Sequence, residues 1–327
     1  MERTTNTNKI FETKEQAEMK ILTYRKLEST DELLPLLDHA FRWTFNQRTF
    51  DKLVKIDPRL KNSPVSFCAL ENGHIVGNVG VMDIATKTLN GTIEYVGGIY
   101  GVATLPSHTK RGVSTTLMNQ THEYFRDRGY RFSLLGTSHT IIAHAFYQKL
   151  GYSDLFECPS AYKVTRTKTT KPRTKEKPEK IDFDRLLKIY NRRVKDCNGL
   201  TIRDKSYLEM LKKGEGFTPK ECIIEEDGYV LFKEIKGMWV NGVWIRELVA
   251  QNPKTMNKLL ELAEKKAKEM IYDRAVMDKE LLEVYRSRGY MIQERSHSVM
   301  MAKPLATGAS FNQTYGSKLY MTGLDFF

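Results

Sequence analysis

A glycine with two basic neighbours stands between an apolar run and a helical pattern. The apolar run covers residues 98–104, and Lys110, Arg111 and Gly112 follow it. Apolar residues then recur at helical spacing over residues 113–128. The first turn of a helix has backbone N–H groups without partners, and a glycine lets an anion approach them. We therefore predict a phosphate site here; the alternative is a solvated basic turn between a strand and a helix.

The same segment resembles the cofactor signature of the GNAT acetyltransferase superfamily, which reads Arg/Gln-x-x-Gly-x-Gly/Ala. Gly112 stands at the central glycine, Thr109 at the Arg/Gln position and Ser114 at the final small position. The wider string over residues 101–112 is similar to the enhanced-intracellular-survival type of this superfamily. The resemblance implies that acetyl-CoA is the cosubstrate and that these residues bind it: Val102, Ala103, Thr104, Thr109, Lys110, Arg111, Gly112, Val113 and Ser114.

Residues 145–152 resemble the second cofactor motif of the family, in which a tyrosine protonates the departing thiolate of CoA. Tyr147 stands at that position; the alternative is a tyrosine of the core. Transfer to an amine also needs a proton acceptor. In the survival-type enzymes this role belongs to a C-terminal carboxylate, which corresponds here to Phe327. Glu94, acting through a water, and Asp325 are the other candidates, although Glu94 beside a hairpin is also explained as a solvent-facing residue.

Local patterns predict the elements that would position these residues. Asn72-Gly73 and Asn90-Gly91 lie between apolar runs and predict hairpin turns. Gly97 and Gly98, inside the strand before the basic turn, indicate a bulge or a close backbone approach. By the resemblance, this strand separates from a parallel neighbour and offers its main chain from Ile99 to Thr104. Three aromatic residues would line the acceptor cleft or pack in the core: Trp43, Phe45 and Phe50.

The second half of the chain repeats the order of the first. Glu226-Asp227-Gly228 matches the first hairpin turn, a helix is expected over 254–270, and residues 284–290 match the tyrosine motif. Its strand-to-helix turn, residues 248–254, has no glycine and no basic cluster. We predict an α/β (α+β) fold of two tandem GNAT domains, each a mixed central sheet flanked by helices, the second degenerate. The predicted units are a cofactor-binding domain (1–162), a basic arm (163–181), a degenerate domain (182–305) and a tail that returns to the active site (306–327).

Composition narrows the class of protein. The 327 residues carry a net charge of +12, are 40% hydrophobic and contain no apolar run long enough to cross a membrane. The polar N-terminus and four scattered cysteines favour a cytoplasmic protein with reduced thiols. His108, His139 and His144 have no carboxylate or cysteine at ligand spacing, so we expect no metal.

These observations predict an acetyl-CoA-dependent N-acetyltransferase whose acceptor is a primary amine, on a small polyamine-like molecule or on a protein. The alternative is a non-catalytic module that senses CoA or binds RNA. Residues 163–180 contain eight Lys or Arg and two Glu, and such a segment could contact RNA. We expect no membrane partner, and the sequence leaves a homo-oligomer open.

Overall fold

The computed structural model describes residues 19–42, 46–165, 180–236, 241–294, 299–316 and 319–325. Within these ranges, two mixed sheets of nine and six strands are flanked by helices, which confirms the predicted fold class. Trp43, Phe45 and Phe327 lie outside the described residues, as does most of the basic arm. None of the described helices is both long enough and apolar enough to span a membrane.

The elements of the first half run in chain order as β1 (Lys20–Thr23), α1 (Leu33–Phe41), α2 (Gln47–Ile56), β2 (Ser66–Glu71), β3 (His74–Lys87), β4 (Ile93–Thr104), α3 (Val113–Asp127), β5 (Phe132–Thr137), α4 (Ile142–Lys149), β6 (Ser153–Glu157) and β7 (Ser160–Val164). The rest of the chain adds α5 (Phe183–Arg193), β8 (Asn198–Gly199), α6 (Lys205–Met210), β9 (Cys222–Glu225), β10 (Gly228–Lys236), β11 (Asn241–Ala250), α7 (Pro253–Glu264), β12 (Met270–Asp273), α8 (Lys279–Ser287), β13 (Met291–Gln293), β14 (Val299–Pro304), α9 (Phe311–Tyr315) and β15 (Leu319–Tyr320). A π-helical turn, Leu211–Glu215, follows α6.

Both hairpin predictions are confirmed. Asn72 and Gly73 have φ angles of 54° and 84°, so both adopt the left-handed conformation that a two-residue hairpin turn requires. Gly91 does the same between β3 and β4, with φ 79°. The helix predicted over 113–128 is α3, which buries one apolar face against the first sheet. The helix expected over 254–270 is shorter, because α7 ends at Glu264 and Met270 already begins β12.

Each sheet contains strands from the other half of the chain. The first sheet has the order β1-β2-β3-β4-β5-β14-β6, with β8 beside β3 and β15 beside β8, and the second has the order β13-β7-β12-β11-β10-β9. Strand β14, from the end of the second half, therefore lies between β5 and β6, whereas β7, from the first half, lies between β12 and β13. Each half thus completes the sheet of the other. The predicted domain boundaries stay a prediction, and the one at residue 162 falls inside β7.

Candidate active site

The site begins where two parallel strands separate. Strands β4 and β5 are paired only from Gly97–Ser133 to Ile99–Leu135. Beyond Ile99 the main chain of β4 no longer pairs with β5, which confirms the expected opening. Gly101 has φ 57°, and its carbonyl accepts a hydrogen bond of 2.7 Å from the amide of Asn78. The opening between the two strands therefore exposes backbone groups of β4.

The pairing of β4 with β3 is irregular about three residues beyond Gly97 and Gly98, the two glycines that had suggested a bulge. Gly97 and Gly98 pair regularly with β3, whereas the register shifts between Asn78 and Gly80 on β3, opposite residues 100–103. Gly97 is needed for a different reason, because a Cβ there would lie 2.3 Å from the ring of Phe125 on α3. The glycine therefore lets a side chain of α3 pack directly on the backbone of β4, and the bulge interpretation is wrong for this position.

The predicted phosphate loop leads to a helix end without a side-chain cap. Gly112 is the N-cap of α3, with φ 82°, and no side chain accepts from the first turn. A Cβ on Gly112 would meet nothing within 4 Å, so the space before the helix is open. Thr109 donates its hydroxyl to the carbonyl of Pro106 at 2.8 Å, and Ser114 shares a 2.6 Å hydrogen bond with Thr104. The free N–H groups therefore face open space.

The two basic residues of the loop differ in their partners. Arg111 forms an ion pair of 2.5 Å with Glu71, whose other oxygen lies 2.5 Å from Nε2 of His108. The hydrogen bonds from Arg111 and His108 hold the pKa of Glu71 below its ordinary value. Lys110 has no ion-pair partner among the described residues. Both residues were expected to offer an unpaired positive charge to a phosphate. Lys110 does so, whereas the charge of Arg111 is paired with Glu71 and connects the loop to the end of β2.

Tyr147, on α4, lines a cavity of about 580 Å³ that includes the separated strands. Its side chain is buried, and its ring packs on those of Phe146 and Tyr152, with centroids 5.5 and 6.0 Å away. Burial raises the pKa of Tyr147 to about 12, so the hydroxyl carries its proton at neutral pH. It has no hydrogen-bond partner among the described residues. This phenol is available to donate a proton into the cavity.

The wall of the cavity comes from both halves of the chain. Leu33, Leu37, Phe50 and Leu53 on α1 and α2 line it, so Phe50 takes the predicted place in the cleft. The second half contributes these residues, from the end of α6 and the π-helical turn: Met210, Gly214 and Glu215. At the end of β5, the buried hydroxyl of Thr137 has no hydrogen-bond partner among the described residues. Both halves of the chain therefore contribute to the wall of the cavity.

The charged groups at the wall are already paired. Asp57 accepts hydrogen bonds of 3.0 and 2.8 Å from the guanidinium of Arg59. Glu215 accepts one of 3.1 Å from Arg246. These are the two carboxylates among the described lining residues, and the rest of the wall is mainly apolar. The cavity thus offers little negative charge to a cation.

Two of the candidate bases lie elsewhere. Glu94 accepts hydrogen bonds from Arg131 at 2.7 Å and Tyr315 at 2.6 Å. It is eight residues from Val102 along an extended strand, which is about 26 Å. Asp325 is buried in an ion pair of 3.0 Å with Arg203, away from this cavity. The structure therefore does not bring Glu94 or Asp325 together with Tyr147.

The matching positions of the second half are closed by its own side chains. The N-terminus of α7 is capped by Asn252, which accepts from the N–H of Thr255 at 2.9 Å. The tyrosine that corresponds to Tyr147 is Tyr285, which is fully buried and donates to Asp273 at 3.0 Å. The absence of a glycine and of a basic cluster in the turn already indicated this difference. These two places therefore lack the uncapped helix end and the unpaired phenol of the first half.

Comparison with known proteins agrees with this geometry. Residues 23–154 match the family model described as an acetyltransferase (GNAT) domain. The fold resembles a GCN5-related N-acetyltransferase from Kribbella flavida, with TM-score 0.61 and 15% identity over 88% of this chain and 71% of that one. It also resembles a GCN5-related N-acetyltransferase from Anabaena variabilis, with TM-score 0.62 and 13% identity over 88% and 73% of the two chains. Eis1 from Mycobacterium abscessus gives TM-score 0.58 and 16% identity over 88% and 74%.

Residues 23–154 thus match the model of a GNAT acetyltransferase domain, and the likeness of fold extends over most of the chain. The chain matches none of the curated proteins. The domain and the site together support an acetyltransferase.

Proposed function

We propose that this protein is an acetyl-CoA-dependent N-acetyltransferase whose acceptor is a primary amine. The observation that carries the proposal is a single cavity that joins the opening between β4 and β5, the phenol of Tyr147 and an apolar chamber. The uncapped N-terminus of α3 follows directly from the strand that borders this opening. A cosubstrate with a diphosphate at one end and a thioester at the other fits this sequence of features.

The diphosphate of acetyl-CoA would be held by the residues that the resemblance assigns to it. The N–H groups of Val113 and Ser114 and the open space at Gly112 suit an anion, and Lys110 supplies a free charge. Main-chain groups of Val102, Ala103 and Thr104 would hold the acyl arm. The buried hydroxyl of Thr137, without a partner among the described residues, is a further candidate for a polar group of this arm.

The chemistry requires two proton transfers. The amine nitrogen bonds to the thioester carbonyl carbon, the carbon–sulfur bond breaks, and the thiolate takes a proton from Tyr147. A backbone N–H near Val102 would stabilise the oxyanion. The amine gives its proton to a base, for which we propose a carboxylate at Phe327, a residue outside the described ranges. A chain shortened to end at Asp325 is then expected to bind acetyl-CoA but to lose turnover.

The wall of the cavity favours an acceptor with an apolar body. A polyamine brings several charges, each of which needs a partner when it leaves water. The two described carboxylates at the wall are bound to Arg59 and Arg246. The volume of about 580 Å³ is ordinary for a small ligand. Of primary amines, those on an aromatic or aliphatic body therefore fit better than polyamine-like molecules.

The second half would serve as a degenerate GNAT-like copy without a cofactor site of its own. Its capped helix and its hydrogen-bonded Tyr285 support this interpretation, and Met210, Gly214 and Glu215 give it a role at the acceptor chamber. The likeness of fold to Eis1 supports an arrangement of the enhanced-intracellular-survival type.

Calorimetric titration of acetyl-CoA into wild-type protein, Gly112→Glu and Gly129→Glu tests the cofactor site. The two glycines lie at opposite ends of α3, both have positive φ (82° and 73°), and neither has an atom within 4 Å of a Cβ. The two variants therefore carry similar backbone strain. A carboxylate about 5 Å from a phosphate costs about 2 kcal/mol at an intermediate dielectric, so Gly112→Glu should weaken binding more than tenfold. Gly129→Glu should bind like wild type, and equal loss in both variants would contradict the site.

Release of free CoA with 2-phenylethylamine, spermidine or a lysine peptide then tests the activity. We expect turnover with 2-phenylethylamine above that with spermidine. Binding of acetyl-CoA without turnover of any primary amine would favour the alternative of a CoA-sensing module.

A further inference from the structure

We propose that His139, His144 and Asp154, with Glu157 beside His139, form a binding site for a divalent transition-metal ion of the zinc type. The four residues lie at the beginning of α4 and on the adjacent strand β6, and the proposed function uses none of them. Their side chains range from 12% to 37% exposed, so an ion can reach them from solvent.

The donor atoms converge at distances that suit one small ion. Nε2 of His144 lies 2.8 Å from Oδ1 of Asp154, and Nε2 of His139 lies 3.6 Å from Oδ2 of the same carboxylate. Nε2 of His139 also lies 2.9 Å from Oε1 of Glu157. The ligand atoms of His139, His144 and Asp154 all lie within 4.8 Å of one another. Bonds of about 2.0–2.2 Å in a tetrahedral zinc site place ligand atoms roughly 3.3–3.6 Å apart, a range that lies within the separations of these three donors.

The pairing of two imidazoles distinguishes this cluster from the other histidine contacts. His74 and His108 each bind one carboxylate, of Glu32 and Glu71 respectively, without a second histidine. The rings of His139 and His144 have centroids only 4.4 Å apart. Two protonated rings at this distance would repel each other, whereas one metal ion would bind both neutral rings and retain the carboxylates.

The donor types select the kind of metal. Calcium and magnesium prefer sites made of oxygen atoms, whereas two imidazole nitrogens with carboxylates suit zinc and its neighbours in the first transition row. The sequence alone predicted no metal, because no carboxylate stands near these histidines at ligand spacing. Asp154 follows His144 by ten residues, and the turn between α4 and β6 brings it back beside the helix.

The ion would connect three segments of the chain. His139 lies in the loop after β5, His144 lies on α4, and the two carboxylates lie on β6. His144 and Tyr147 are on the same helix, three residues apart, so the two side chains lie near one another along α4. The ion would therefore hold the beginning of α4 against β6.

Titration of zinc chloride into the tag-free full chain, first freed of metal with a chelator, tests the site. We expect one ion per chain and a rise in the thermal midpoint with zinc; at 100 times the Kd, the folded-to-unfolded ratio rises about 100-fold. His144→Gln and the isosteric Asp154→Asn should each weaken zinc binding about tenfold or more. Even the loss of a group that only orients a metal ligand lowers metal affinity by about that factor. His74→Gln, at a histidine with a single carboxylate, is the matched control and should bind like wild type.

Cobalt(II) provides a second readout that does not depend on stability. A four-coordinate site should give intense visible absorption that zinc abolishes and that His144→Gln lacks. Absence of zinc binding by folded wild-type protein overturns the proposal. Equal binding by wild type and by either ligand variant, or a cobalt spectrum that His144→Gln retains, overturns it as well.

Discussion

Replacing Tyr147 with phenylalanine separates the proposed acid from the packing of the same ring. The hydroxyl has no hydrogen-bond partner among the described residues, and the ring contacts to Phe146 and Tyr152 remain in the variant. Its loss therefore leaves no buried partner unsatisfied, and the free energy of unfolding should change by less than about 1 kcal/mol. Loss of a general acid lowers the rate by about 100- to 10,000-fold, or roughly 3–5 kcal/mol of activation free energy.

Tyr285 provides the matched control, because it is the corresponding tyrosine of the second half. It donates to Asp273 at 3.0 Å in a fully buried site. Tyr285→Phe removes that donor and should cost about 1–3 kcal/mol of the free energy of unfolding. The rate of acetyl transfer should not change. Both substitutions remove one tyrosine hydroxyl. Tyr147→Phe is expected to lower the rate of acetyl transfer, whereas Tyr285→Phe is expected to lower the free energy of unfolding.

The assay is single-turnover acetyl transfer to 2-phenylethylamine, so that product release does not hide the chemical step. Urea unfolding of both variants gives the stability values. A Tyr147→Phe protein that transfers acetyl groups as fast as wild type would refute the role of this phenol. Equal effects of the two substitutions on rate and stability would show that Tyr147 acts only through packing.

Two further predictions concern stability. Burial raises the pKa of Asp273 to about 6 from 3.8, so the folded protein holds this proton more tightly than the unfolded chain. This contribution is complete below about pH 4 and is lost as the pH rises to about 6, a difference of about 3 kcal/mol. Urea unfolding of wild type and Asp273→Asn over this range should show wild type losing stability relative to the variant, and parallel curves would contradict the shift. A Cβ at Gly97 would lie 2.3 Å from the ring of Phe125, so Gly97→Ala should cost about 1–3 kcal/mol. Adding Phe125→Leu should recover part of that cost, whereas strictly additive costs would show that the two positions are not in contact.

Much of the candidate site could be predicted because its signals are local. The turn at Gly112, the stripe of α3 and the hairpin at Asn72-Gly73 depend on residues a few positions apart, and all three are present. The helix of Tyr147 and its place in the cavity are likewise as expected. The glycine pair in β4 was harder to interpret, because a bulge and a close approach leave the same mark in a sequence.

The sequence by itself determined the strand, basic turn and helix of the proposed cofactor site, the repeat of this order in the second half, and the absence of a glycine there. Only the tertiary structure decided that β7 pairs in the second sheet and β14 in the first, and that the π-helical turn of the second half lines the cavity at Tyr147. It also decided that Glu71 engages Arg111 and that Asp154 meets two histidines. These contacts join residues far apart in the chain. Neither the hydrophobic periodicity nor the spacing of residues predicts these contacts, because they depend on the order of the strands in the sheets.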